Sequence, residues 1–101
     1  MLEILIFVPH YLPGSKFGGP VRSVQGLVER LGSEFRFKIV TQDRDWGDVK
    51  PYPHIKTGVW QGAGAAQVMY LLRHDCSPWG FRELIRNTPH DILYLNSFVR
   101  E

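Results

Sequence analysis

The strongest constraint on this chain lies in its first residues. Met1 to Val8 is a near-continuous apolar run that stops at Pro9. A run so short and so apolar suits a strand buried on both faces, as in a parallel sheet. Parallel neighbours cannot be joined by a tight turn, so a crossover element must follow. The sequence supplies one. Pro9 to Gly19 is rich in Pro, Gly and Tyr and reads as a loop. Pro20 then suits the first position of a helix, where a missing N–H does no harm. Val21, Val24, Leu27, Val28 and Leu31 share an arc of roughly 120° on a helical wheel. Arg22, Gln25, Glu29 and Arg30 fall off that arc. Gly32 is the expected stop, and Phe35 to Thr41 is the second strand. Residues 2–41 therefore predict a right-handed strand–helix–strand unit.

Beyond Thr41 the pattern changes. Residues 42–57 show no periodicity, and Asp43 to Asp48 and Pro51 to Pro53 read as an ordered surface loop. A long aperiodic stretch in a compact domain raises the expectation of function. Residues 58–61 and 66–72 are short strands, joined by a hairpin through Gly62-Ala63-Gly64. Ser77 and Pro78 provide an N-cap and first turn. Phe81, Leu84, Ile85 and Thr88 have helical spacing, so residues 78–88 are predicted as a helix. Pro89 lies beyond its end, and Asp91 to Asn96 is the last strand. The fold class expected is α/β. Residues 1–101 should form a single domain, an open, mostly parallel, Rossmann-like sheet with helices on its faces.

Composition excludes several function classes. Hydrophobic residues make up 44% and charged residues 22%, which rules out a disordered chain. No apolar run approaches the roughly 20 residues that span a bilayer. Glu3 stands where a basic leader segment would be, so no secretory signal is expected. The single cysteine, Cys76, excludes an internal disulfide framework and a multi-thiolate zinc site. A net charge of +2 with interspersed signs gives no electrostatic case for nucleic acid.

Open α/β sheets bind ligands outside the carboxyl ends of their strands. Pro9-His10-Tyr11, Thr41-Gln42-Asp43 and Asn96-Ser97 fall there. The loop Pro13 to Pro20 leads into a helix N-terminus, where backbone amides and the helix dipole favour anions. Gly14 and Gly19 have the spacing of a P-loop's two glycines. Pro20-Val21 replaces the Lys-Ser/Thr that must follow, which disfavours phosphoryl transfer, and no G-x-G-x-x-G is present. An anion site and a flexible turn packed through glycine both stay open, with Lys16 and Arg22 as flanking charges. Asp43, Asp45 and Asp48 could bind a sugar or a divalent cation, or form a solvated loop with self-capping turns. They lack the later glycine and glutamate of a calcium loop. Arg44 can pair with its neighbours. His10 could contact a phosphate or hydroxyl, or be a satisfied structural histidine. His54, His74 and His90 make no ligand spacing. Cys76 reads as structural, although a helix N-terminus could lower its pKa. Trp46, Trp60 and Trp79 suit partial burial better than stacking on sugars.

One resemblance is specific. Tyr11 to Val24, with its Pro-Gly and Gly-Gly-Pro elements, resembles the opening of the family 4 retaining glycosyltransferases, which have the GT-B fold of two Rossmann-type domains. The similarity continues through Val40 to Asp48, Pro51-Tyr52 and Asp91 to Phe98, nearly the whole chain. It implies the N-terminal, acceptor-side part of an enzyme that moves a sugar from a nucleotide-diphosphate donor to a glycan or lipid-linked acceptor. Gly18 and Gly19, with Lys16, would approach the donor diphosphate. His10, Asp43, Arg44, Asp45, Asn96 and Ser97 would lie on the acceptor side. Many members carry a histidine where Asn96-Ser97 stands. The resemblance implies no cofactor, since the nucleotide sugar is a substrate, and no metal. It implies a cytoplasmic protein, with room for peripheral contact at the inner face of the membrane. The catalytic groups would belong largely to a second domain, so these residues alone should be inactive. Two other readings remain: a stand-alone module binding an anion or partner, and a structural fragment that self-associates through an open sheet edge.

Overall fold

The computed structural model describes residues 1–14, 19–45 and 47–95. Its elements are β1 (Leu2–Phe7), α1 (Gly19–Leu31), β2 (Phe35–Gln42), β3 (Trp60–Ala63), β4 (Ala66–Leu71), α2 (Pro78–Asn87) and β5 (Ile92–Leu95). A short 3-10 turn, Arg73–Asp75, precedes α2. The strands form one sheet in the order β3-β4-β2-β1-β5. β1 is parallel to β2 and β5, and β2 is parallel to β4. Only β3 runs antiparallel, against β4. The protein is thus a mixed α/β fold with a mostly parallel sheet, as the apolar start of the chain requires.

Alternation along β1 explains the layers. Ile6 and Val8 face α1, together with Ile39, Val68 and Tyr70. Leu5 and Phe7 face α2, together with Val40, Met69 and Leu71. Leu5, Ile6, Phe7 and Val8 are all 0% exposed, so β1 is buried on both faces. Val21, Val24 and Val28 of α1 are buried, with Leu27 and Leu31 packed beside them. These are the positions of the predicted apolar arc. On the other face Phe81, Leu84 and Ile85 of α2 cover the second cluster. The Phe81 ring meets Phe7 edge-on, with centroids 5.0 Å apart. Opposite faces follow from the path. The chain leaves β1 towards β2 through α1, then returns from β4 across to β5 through α2. Right-handed crossovers in opposite directions place their helices on opposite sides.

Local chemistry sets the boundaries. Ser77 caps α2, its hydroxyl accepting from the Gly80 amide at 3.1 Å, with Pro78 at the first position. α1 ends at Leu31, as Gly32 suggested, and space at position 32 admits only glycine. A side chain at Gly32 would come within 2.7 Å of the Ala65 methyl and the Val28 carbonyl. The hairpin turns at Gly64-Ala65, later than the expected Gly62-Ala63-Gly64. Gly64 has φ of 63°, a left-handed conformation that glycine adopts without strain. The late turn brings Trp60 opposite Met69 and Gly62 opposite Gln67. β5 differs from its neighbour. Ile92, Leu93, Tyr94 and Leu95 are 38–49% exposed, although both of its faces are apolar. Among the described residues no helix is long and apolar enough to cross a membrane.

Candidate functional site

At the carboxyl ends of β1 and β2 two loops are fastened together, residues 9–14 and 43–52. The β1–β2 ladder continues past the strands, where the Gln42 amide donates to the Pro9 carbonyl at 3.2 Å. The Leu12–Pro13 peptide bond is cis, and the Gly14 amide donates to the Tyr11 carbonyl, closing a tight turn. Two phenols hold this turn from outside. The Tyr70 hydroxyl donates to the Leu12 carbonyl at 2.6 Å, and the Tyr52 hydroxyl donates to the Tyr11 carbonyl at 3.0 Å. The two rings meet edge-on, 5.9 Å apart. Tyr52 is placed in turn by its own amide, which donates to the Asp43 carbonyl at 2.7 Å. Burial discourages ionisation of all three tyrosines. The Tyr11 phenol is pushed up to about 12 mainly by burial, and Tyr52 and Tyr70 are raised for the same cause.

His10 ties the loops from the other side. Its Nδ1 lies 2.9 Å from the Arg44 carbonyl. A carbonyl only accepts, so Nδ1 carries the proton, and in the neutral ring Nε2 is the acceptor. Asp43 is 2% exposed, and its Oδ1 accepts from Arg44 Nε at 2.9 Å. That bond raises the Arg44 guanidinium above its ordinary value. Arg44 also donates to the Val49 carbonyl. The guanidinium is therefore neutralised by one neighbour and oriented by another.

Between the loops lies a cleft of about 440 Å³. His10, Gln42, Arg44, Asp45, Asp48 and Val49 line it. Arg44 is the one Lys or Arg among the described lining residues, and Asp43 already engages it. Asp45 is 8% exposed, and Asp48 is exposed at the rim. The cleft thus offers carboxylates, an amide and an imidazole around a compensated cation. Such a lining suits hydroxyl groups, which donate to carboxylates and accept from amides, better than it suits a phosphate. Among the described residues no three His, Cys, Asp or Glu side chains converge as metal ligands.

Of the residues expected from sequence, His10, Asp43, Arg44 and Asp45 come together here. Gly19 opens α1, and a side chain at its Cα would meet nothing within 4 Å. Lys16, Gly18, Asn96 and Ser97 lie outside the described residues, as does Trp46. Of the two readings left open for the loop, Gly14 fits the turn packed through glycine. Its amide is used by Tyr11, and a side chain there would come within 2.7 Å of the Asp45 carboxylate and closer still to the Tyr52 hydroxyl. It is the contact point of the two loops, with no amide left for an anion. Cys76 is structural, as its context suggested. Burial, then Asp43 and Asp75, push its thiol up to about 11. Trp60 is half-buried, but Trp79 is 74% exposed, contrary to the expectation of burial. Sequence reasoning missed the pinning by Tyr52 and Tyr70. The available signal was a tyrosine in the apolar run Val68-Met69-Tyr70-Leu71, where a buried hydroxyl needs a partner.

Comparison with known proteins adds no relative: no family model, no curated protein and no solved structure matches the chain.

Proposed function

We propose that this chain is the N-terminal, acceptor-side part of a retaining glycosyltransferase with a Rossmann-like, GT-B arrangement. The full enzyme would transfer a sugar from a nucleotide-diphosphate donor to a glycan or lipid-linked acceptor in the cytoplasm. The observation that carries this reading is the cleft between residues 9–14 and 43–52. Its carboxylates and compensated arginine suit a polyhydroxylated acceptor. Its lining residues from Gln42 to Asp48 fall within Val40 to Asp48, one of the segments that resemble the glycosyltransferases. In this reading Asp45, Asp48 and Gln42 hold acceptor hydroxyls, and His10 and Asp43 fix the loop around Arg44. In the same reading Gly18 and Gly19, the latter opening α1, approach the donor diphosphate, where helix-terminal amides stabilise charge as it develops on the leaving group. No cofactor takes part. Among the described residues β5 is an edge strand, and its part-exposed apolar side chains suit packing against further polypeptide.

Calorimetry tests the reading. Neutral oligosaccharides should bind the chain weakly and measurably, whereas nucleotide sugars should bind marginally or not at all, and no sugar should be transferred. Tight binding of a nucleotide sugar to these residues alone, or transfer by them, would contradict it. Either result would favour a self-sufficient α/β module.

A further inference from the structure

The opposite end of the sheet carries a larger cavity, of about 540 Å³, formed at the amino ends of β1, β2 and β4 and the hairpin turn. α2 covers the upper part of its face of the sheet, where Leu5, Phe7, Val40 and Met69 are apolar. The same face continues downward as Glu3, Arg36, Lys38 and Gln67. Register explains the grouping. Glu3 pairs with Arg36 across β1–β2, and Lys38 pairs with Gln67 across β2–β4. Below α2 this face lies beyond the helix: the Arg36 side chain is 68% exposed, whereas those of Lys38 and Glu3 are largely buried.

The group is out of balance. Lys38 Nζ lies 3.5 Å from Glu3 Oε1, and Arg36 lies 3.7 Å from Glu3 Oε2. Charge-assisted hydrogen bonds are closer, about 2.7–2.9 Å. Two cations thus share one carboxylate loosely, and Glu3 Oε1 is shielded from water without a hydrogen bond. The Lys38 side chain is only 23% exposed, and its ammonium lies 5.6 Å from the centre of the Trp60 ring. Beside it Gly62 leaves open space where a side chain would stand. The Gln67 amide adds a donor at the wall.

We propose that this lower cavity is a second ligand site, separate from the acceptor cleft, that takes a small molecule through an oxyanion group, carboxylate or phosphate. The oxyanion sits between Arg36 and Lys38, supplies the missing negative charge, and accepts from Gln67. Glu3 keeps the two cations near each other without fixing them, and limits affinity by repelling the ligand. The site does not depend on the glycosyltransferase reading.

Trp60 reports on it. In a Trp46→Phe/Trp79→Phe background the remaining indole is the one beside Lys38. Titration with inorganic phosphate and with acetate should change its emission saturably. Response to phosphate alone identifies a phosphate site, and response to both identifies a general oxyanion site. Lys38→Met should abolish the response. Glu3→Gln should tighten binding by roughly fivefold, the scale of one partly screened charge contact. The Glu3 backbone amide, not its side chain, carries the bond to Asp91, so β1 and β5 stay joined in that variant. A flat titration with both anions, or one unaltered by Lys38→Met, overturns the proposal. Far-ultraviolet circular dichroism confirms that each variant is folded.

Discussion

The two ends of this sheet are held in different ways. At the carboxyl end, side chains reach backbone carbonyls: Tyr70 to Leu12, Tyr52 to Tyr11, His10 to Arg44, Arg44 to Val49. At the amino end, charged side chains meet one another at 3.5 Å and beyond. The first kind of contact fixes a loop, because the acceptor is part of the chain being positioned and has lost its water. The second fixes little, because partly exposed charges interact weakly and tolerate many geometries. A cleft that must hold a sugar in one orientation needs the first kind. A site that receives a charged group can be built from the second.

Glycine substitutions give the largest contrast. Gly14→Ala should destabilise the protein by about 2–3 kcal/mol, since the new methyl would overlap Asp45 and Tyr52. Gly62→Ala, at the open lower end, should stay within about 0.5 kcal/mol of the parent. Urea midpoints measure both. Equal effects would break the comparison.

Hydroxyl removal should give a smaller contrast of the same sign. Tyr70→Phe leaves the Leu12 carbonyl without its partner and should cost about 1–2 kcal/mol, with Tyr52→Phe close behind. Lys38→Met should change stability by less than about 0.5 kcal/mol. Amide exchange should quicken at residues 9–14 in the tyrosine variants and nowhere in the lysine variant.

Alkali tests the same pins. The phenol of Tyr11 ionises at about 12 in the folded protein and near 10.0 when unfolded. The folded state thus keeps a proton that the unfolded state releases first. Stability from this group is complete below pH 10 and is lost as pH rises towards 12. Tyr52 and Tyr70 shift in the same direction and add to the loss. Urea midpoints should therefore fall steeply in that window, and a flat profile would show that the phenols are not buried as described. A separate, kinetic effect concerns Cys76. With its thiol raised from 9.0 to about 11, alkylation at neutral pH should be about a hundredfold slower than for a free thiol.

The sequence announces the framework well, and physics explains where it stops. The apolar run before Pro9, the arc from Val21 to Leu31 and the Ser77-Pro78 cap are local patterns, and each became the element it predicted. That His10, Asp43, Arg44 and Asp45 would come together was legible because strand ends in an open α/β sheet have a known place. For Gly14 the spacing left an anion loop and a glycine-packed turn both open, since the neighbours that decide, Asp45 and Tyr52, are distant in sequence. The exposure of β5 could not be read either. Ile92 to Leu95 resemble Ile4 to Phe7 in composition, yet only the inner strand is covered. Pattern shows what a strand can bury, whereas its place in the sheet decides what it does bury. The charge group at Glu3, Arg36 and Lys38 needed the register, which no single segment contains.

The proposed function requires the cleft lined by His10 and residues 42–49 to receive a neutral, polyhydroxylated ligand. Amide chemical shifts, followed while a neutral oligosaccharide is titrated into the labelled chain, test it most directly. Saturable shifts confined to His10, Gln42, Arg44, Asp45, Asp48 and their neighbours, and weakened in Asp45→Asn, are the predicted result. Shifts at the amino end of the sheet instead, or none while a nucleotide sugar perturbs the cleft, would contradict it.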